Sequence, residues 1–245
     1  MIRGGSTALA QTASEVPIPE ALLERERSVG EPVTGIVLAG GRSRRMGNDK
    51  AFTQLAGRTL LEWVLEALEP VTETRLVVTR SLSGYDGVGV PVVHDRLKAR
   101  GPLTGLHAGL EAAQTDLCLV VACDMPLVRP DLLALLARVI GPFDAAVPYV
   151  GELGVPPPTT YTTAREAGLQ PLLAAYRRKA LPSLEKLLRV GSMPTSALVS
   201  VVRARIVAPE EWHAVDPDGM SFFNVNTPED LMEAARRLAG LSGGD

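Results

Sequence analysis

Aromatic side chains are scarce: four Phe, four Tyr and two Trp make up 4% of 245 residues. That leaves little material for base-stacking platforms and requires an aliphatic core, which the 46% hydrophobic content can supply for one sizeable domain. A cationic excess is missing too. The 25 basic and 28 acidic side chains give a net charge of −3, which excludes a general nucleic-acid binder held by counterion release. No apolar run approaches the roughly 20 residues of a membrane-spanning helix, so no membrane partner is expected. The longest, 117–123, fits a buried strand. Arg3 is followed by small and polar residues without an apolar h-region, so no secretory signal is read and the cytoplasm is the expected compartment. Cys118 and Cys123 are the two cysteines, about 16 Å apart on an extended strand and on opposite faces, so they cannot pair. With three histidines (His94, His107, His213) and no metal-site spacing, a structural zinc is not expected.

What is present is an alternation of short β-rich runs with longer helical patterns. Residues 1–32, interrupted by Pro17 and Pro19, lack sustained periodicity and read as a mobile extension, and 33–241 read as a single domain. Runs at 35–39, 76–79, 91–94, 117–122 and 145–149 alternate with helical spacings such as Leu60, Leu61, Val64, Leu65 and Leu68, or Leu132, Leu133 and Leu136. This is the pattern of βαβ units, so the expected fold is α/β, three-layered and Rossmann-like, around a mostly parallel sheet. The Gly/Pro-rich stretch 151–163 reads as a loop or hairpin excursion. Helices are expected at 169–178 and 182–189, a strand at 198–207, and a last helix at 227–241 opened by Thr227-Pro228-Glu229-Asp230.

The strongest local feature is the strand 35–39 running into Gly40-Gly41-Arg42-Ser43-Arg44-Arg45-Met46-Gly47-Asn48-Asp49-Lys50. Glycines let backbone N–H groups converge on phosphate oxygens, and Arg45 and Lys50 add charges suited to a triphosphate. The spacing is neither a Walker A loop nor G-x-G-x-x-G. Two strands end in acids, Asp95 and Asp124, which either cap the following turns or face one crevice beyond the sheet. Beside phosphates, such a carboxylate suits Mg²⁺, which takes one or two protein oxygens. Gly101-Pro102-Leu103-Thr104-Gly105 opens a helix whose free N–H groups either suit a ligand's polar edge or simply make a tight junction. Asn224 and Asn226 share one face of a short expected strand and either bind a polar ligand or fix a turn. No Ser-His-Asp set, H-E-x-x-H or exposed cysteine is found, so chemistry without a protein nucleophile fits best, and nucleotidyl transfer qualifies.

Leu38-Ala39-Gly40-Gly41-x-Ser43-x-Arg45-Met46-Gly47-x-Asp49-Lys50, with Gly101-Pro102-Leu103-x-Gly105, Cys123-Asp124-Met125-Pro126 and Asn224-Val225-Asn226-Thr227-Pro228-Glu229, resembles the molybdenum cofactor guanylyltransferases, the MobA family. The four motifs keep their order across about residues 34 to 240. The resemblance implies a nucleotide-diphospho-sugar-transferase-type fold that joins GMP from GTP to molybdopterin or molybdenum-molybdopterin, with Mg²⁺ as cofactor. It further implies nucleotide contacts from Leu38, Ala39, Gly40, Gly41, Lys50, Asp95, Gly101, Pro102, Leu103 and Asp124. Arg45, Lys50 and Asp124 would be the catalytic residues, Asp124 would hold the metal, and Asn224 and Asn226 would sit on the molybdopterin side. Thr79 stands where some members carry a nucleotide-contacting asparagine. Leu-Ala-Gly-Gly separates this chain from cytidylyl relatives, which resemble Leu-Ala-Ala-Gly here. A molybdopterin cytidylyltransferase, a sugar-phosphate nucleotidyltransferase and a non-catalytic nucleotide- or cofactor-binding adaptor are the alternatives. Transient contact with molybdoenzymes or their chaperones is compatible with each reading. The N-terminal extension and the 151–167 insertion depart from compact members.

Overall fold

The computed structural model describes residues 31–39, 49–97, 101–152, 154, 168–191 and 193–242. The chain runs β1 (Val33–Leu38), a hairpin of β2 (Gln54–Leu55) and β3 (Arg58–Thr59), α1 (Leu60–Leu68), β4 (Thr74–Thr79), β5 (Val92–His94), α2 (Pro102–Ala112), β6 (Leu117–Ala122), α3 (Pro130–Val139), β7 (Ala145–Pro148), β8 (Leu173–Arg177), α4 (Leu181–Val190), α5 (Ser196–Val201), β9 (Ala204–Val207), α6 (Pro209–Trp212) and α7 (Pro228–Ser242). Continuous apolar runs such as LCLVVA in β6 make strands that are buried on both faces, because helices cover both sides of the sheet. Leu61, Val64 and Leu68 of α1 pack with Leu132, Leu133 and Leu136 of α3 on one face. Leu106 and Leu110 of α2, Leu184 of α4 and Leu198 of α5 cover the other. No described helix is long and apolar enough to cross a membrane.

Strand order is β5-β4-β1-β6-β8-β7-β9, and β8 alone runs against the others. From β1 the chain moves outward to β4 and β5, then crosses back to place β6 on the other side of β1. That reversal makes a topological switch point at the carboxyl ends of β1 and β6, the position where open α/β sheets take their ligands in a crevice. α2 reaches this edge by close contact: a Cβ on Gly109 would lie 2.6 Å from Ile36 Cγ2 of the central strand, so only glycine lets the helix sit there. A third cluster places Ala234 of α7 with Leu55, Leu60, Met220 and Val225, fastening the segment before α7 to the hairpin and α1.

Four expectations are corrected. Residues 169–178 hold strand β8 rather than a helix: Leu173 and Ala175 face one core cluster, Ala174 and Tyr176 the other, and pairing with both β6 and β7 overrides the helix propensity of Leu and Ala. Residues 198–207 are split, because α5 takes Ser196–Val201 with Leu198 and Val199 buried and Val201 exposed, leaving β9 only Ala204–Val207. Residues 223–226 are irregular; the one ladder-like contact is Val225 N donating to Asp124 O at 2.8 Å. Glu31, assigned to the extension, is held to the sheet by Arg177 Nη1 at 2.6 Å. Residues 1–30 lie outside the described residues, as does most of the 151–167 insertion. The residues that flank it, Tyr149 and Leu169, pair antiparallel.

Candidate active site at the carboxyl edge of the sheet

Leu38 and Ala39 close β1 with buried side chains, and their backbones are fixed by Ala39 N donating to Val78 O at 2.8 Å and Cys123 N donating to Leu38 O at 3.1 Å. Gly40, Gly41 and Arg45 lie outside the described residues. Past them, the Asp49 carboxylate caps a short 3-10 turn, Lys50–Phe52, by accepting from Ala51 N at 3.1 Å. This turn carries Lys50, which is 8% exposed. A lysine so covered requires partners. Its ammonium donates to Asp124 Oδ2 and to Asn226 Oδ1, each at 2.9 Å. Three sequence-distant residues are thereby joined at the switch point.

Each partner is itself held in place. Asp124 follows β6, and its carbonyl anchors Val225. Asn226 N and Thr227 N both donate to Asp230 Oδ2 at 2.8 Å, and Asp230 N returns a bond to Thr227 Oγ1 at 3.1 Å, forming a reciprocal cap at the start of α7. The bond from Asn226 N, before all others, holds the Asp230 carboxyl below the usual carboxylate range. Asn224 is not drawn into this set; its amide donates to Phe222 O at 3.1 Å.

Asp95 is fully covered, and its carboxylate is engaged by Thr104 Oγ1 at 2.5 Å, Leu97 N at 3.1 Å and Arg80 Nη1 at 3.4 Å. It therefore ties the end of β5 to the first turn of α2, where Gly101 (φ 134°) and Pro102 are exposed and Leu103 is buried. Thr79, at the end of β4, is 2% exposed and its hydroxyl donates to Ser81 O at 3.0 Å. Burial, followed by the charge of Asp124, pushes the Cys123 thiol up, leaving it no thiolate character. Sequence reasoning missed Asp49 and Asp230 as supports, although both lay inside recognised motifs. It also missed Tyr85, whose hydroxyl reaches Asp49 Oδ2 at 2.8 Å from a turn-rich segment without periodicity.

The site fits a hard divalent cation held mainly by its ligand's phosphates. Asp124 is a carboxylate 26% exposed at the crevice, already facing a cationic group, and no three His, Cys, Asp or Glu among the described residues converge as a metal cage. An ammonium, a carboxylate and an amide at one point can bind an anionic ligand and stabilise charge that develops on it.

Residues 35–215 match the family described as MobA-like NTP transferase domain. The molybdenum cofactor guanylyltransferase of Desulfosudis oleivorans is 35% identical over 205 residues, spanning 83% of this chain and 95% of the relative. That of Vibrio cholerae is 34% identical over 206 residues, 81% and 89% of the two chains. Among solved structures, molybdopterin-guanine dinucleotide biosynthesis protein A of Archaeoglobus fulgidus aligns with a TM-score of 0.69 at 28% identity, covering 84% of this chain and 99% of its own. A 2-C-methyl-D-erythritol 4-phosphate cytidylyltransferase of Thermus thermophilus, with a TM-score of 0.59 at 22% identity over 83% and 98%, shares the fold.

Proposed function

The chain belongs to the MobA-like NTP transferase family, and on that premise we propose that it transfers GMP from GTP to the phosphate of molybdopterin, giving the guanine dinucleotide and pyrophosphate. The observation that carries the reading is the Lys50 ammonium shared by Asp124 and Asn226, since it would connect the nucleotide side of the crevice, at Asp124, with the acceptor side, at Asn226. An oxygen of the acceptor phosphate forms a bond to the α-phosphorus of GTP while the bond from that phosphorus to the bridging oxygen breaks, and pyrophosphate leaves. No protein nucleophile is needed.

Leu38, Ala39, Gly40 and Gly41 would cradle the nucleotide, with Gly101, Pro102 and Leu103 at the start of α2 on its far side and Asp95 keeping that start in place through Thr104. Lys50 and Arg45 would hold the triphosphate and its developing charge. Asp124 would hold Mg²⁺, which when bound neutralises phosphate charge. Asn224 and Asn226 would orient the acceptor. With Oδ1 accepting from Lys50, Asn226 would offer its amide N–H groups as donors to a phosphate oxygen.

The test is incubation of the purified protein with GTP, Mg²⁺ and molybdopterin, followed by mass detection of the dinucleotide and pyrophosphate. Asp124→Ala should lose at least about 100-fold in turnover with its circular dichroism unchanged. Unaltered turnover in that variant would overturn the assignment.

A further inference from the structure

We propose that Tyr85 is a positioning residue for Lys50, acting through Asp49. Tyr85 lies between β4 and β5, in a turn closed by Tyr85 N donating to Leu82 O at 3.2 Å and Val88 N donating to Tyr85 O at 3.3 Å. It is 3% exposed and touches the Lys50 turn twice. Its hydroxyl donates to Asp49 Oδ2 at 2.8 Å, and its ring meets Phe52 edge-on with centroids 4.8 Å apart. Asp49 and Phe52 stand on either side of Lys50 and Ala51, so Tyr85 grips both ends of the turn. Phenylalanine would fill the same space. A buried phenol placed against a half-buried carboxylate costs desolvation, and it brings a gain only if the geometry it fixes matters. What it fixes is the cap on Ala51 N, and with it the path of Lys50 to two partners. Burial, and less strongly the bond to Asp49, push the phenol up against the lowering effect of a side-chain bond with Thr79, so it remains a donor at neutral pH.

The catalytic consequence rests on the guanylyl-transfer reading, whereas the geometric one does not, and the experiment separates them. The full chain and Tyr85→Phe are acetylated briefly with acetic anhydride, and modification is quantified at Lys50, with Lys179 and Lys186 as internal controls. Tyr85→Phe should raise Lys50 modification about fivefold, the scale of one lost hydrogen bond, with the control lysines unchanged, and should lower kcat for dinucleotide formation by a similar factor. Unchanged Lys50 reactivity, a rise shared by all three lysines, or an unchanged kcat in an active protein would overturn the proposal. A wild-type chain that forms no dinucleotide counts against guanylyl transfer, while the Lys50 reactivity ratio still decides the positioning role.

Discussion

Lys50 is covered to 10% side-chain exposure and bonded to a carboxylate and an amide, so its charge is aimed rather than free to sample solvent. Asp124→Asn tests how much of that depends on charge. It keeps shape and a neutral acceptor, so stability should fall by only about 1 kcal/mol in urea titration. Turnover should fall roughly 100-fold or more, because the formal charge that would hold Mg²⁺ under the proposed function is gone. Equal small losses in both measurements would mean the carboxylate is structural. Asp230 offers a pH test. Its folded-state pKa is depressed by the amide of Asn226 and then by that of Thr227, so the stabilisation is complete above the ordinary carboxylate value of about 4 and is lost as pH falls through the lowered one. The amide proton shifts of Asn226 and Thr227 should therefore hold steady from neutral pH down to about 4 and move only below it. A transition centred near pH 5 would contradict the cap. Thr227 and the first-turn acids were legible as a helix start because capping is local chemistry. That Asp230 also holds Asn226 follows only from the bend of the preceding segment.

Among the elements, α2 shows opposing small effects with a clear winner. Alanine in place of a helical glycine gains about 1 kcal/mol from backbone entropy. At Gly105 the added Cβ meets Leu38 Cδ2 at 3.6 Å, an ordinary contact, so Gly105→Ala should be neutral or slightly stabilising. At Gly109 it meets the stiff, buried Ile36 Cγ2 at 2.6 Å and Val78 Cγ2 at 3.2 Å, and overpacking of about 2–3 kcal/mol exceeds the gain. Gly109→Ala should lower the urea midpoint while Gly105→Ala does not. Equal effects would refute the close helix–sheet approach. The same contrast between local and tertiary signals decides which elements the sequence exposes. α1 was readable because its apolar stripe is local; the structure adds a Thr59–Glu62 capping box at its start. β8 was not, since LAAYR has helical composition and becomes a strand only between β6 and β7.

For the whole molecule, the crossing of the chain from β5 back to β6 places residues 50, 124 and 226 within hydrogen-bond distance although 74 and 176 positions separate Lys50 from its partners. No local rule predicts such a contact. The α/β class and the ends of the parallel strands were legible because buried strands have a composition of their own. Tyr85 was invisible because a tyrosine in a turn-rich segment carries no period. The central claim is a guanine-specific nucleotide site at this switch point. Its most direct test is calorimetric titration of the purified chain with GTP, CTP, UTP and ATP, each with Mg²⁺ and again with EDTA. GTP should bind at least about tenfold more tightly than the other three and lose affinity in EDTA. Tighter binding of CTP or UTP, or no nucleotide binding at all, would contradict it.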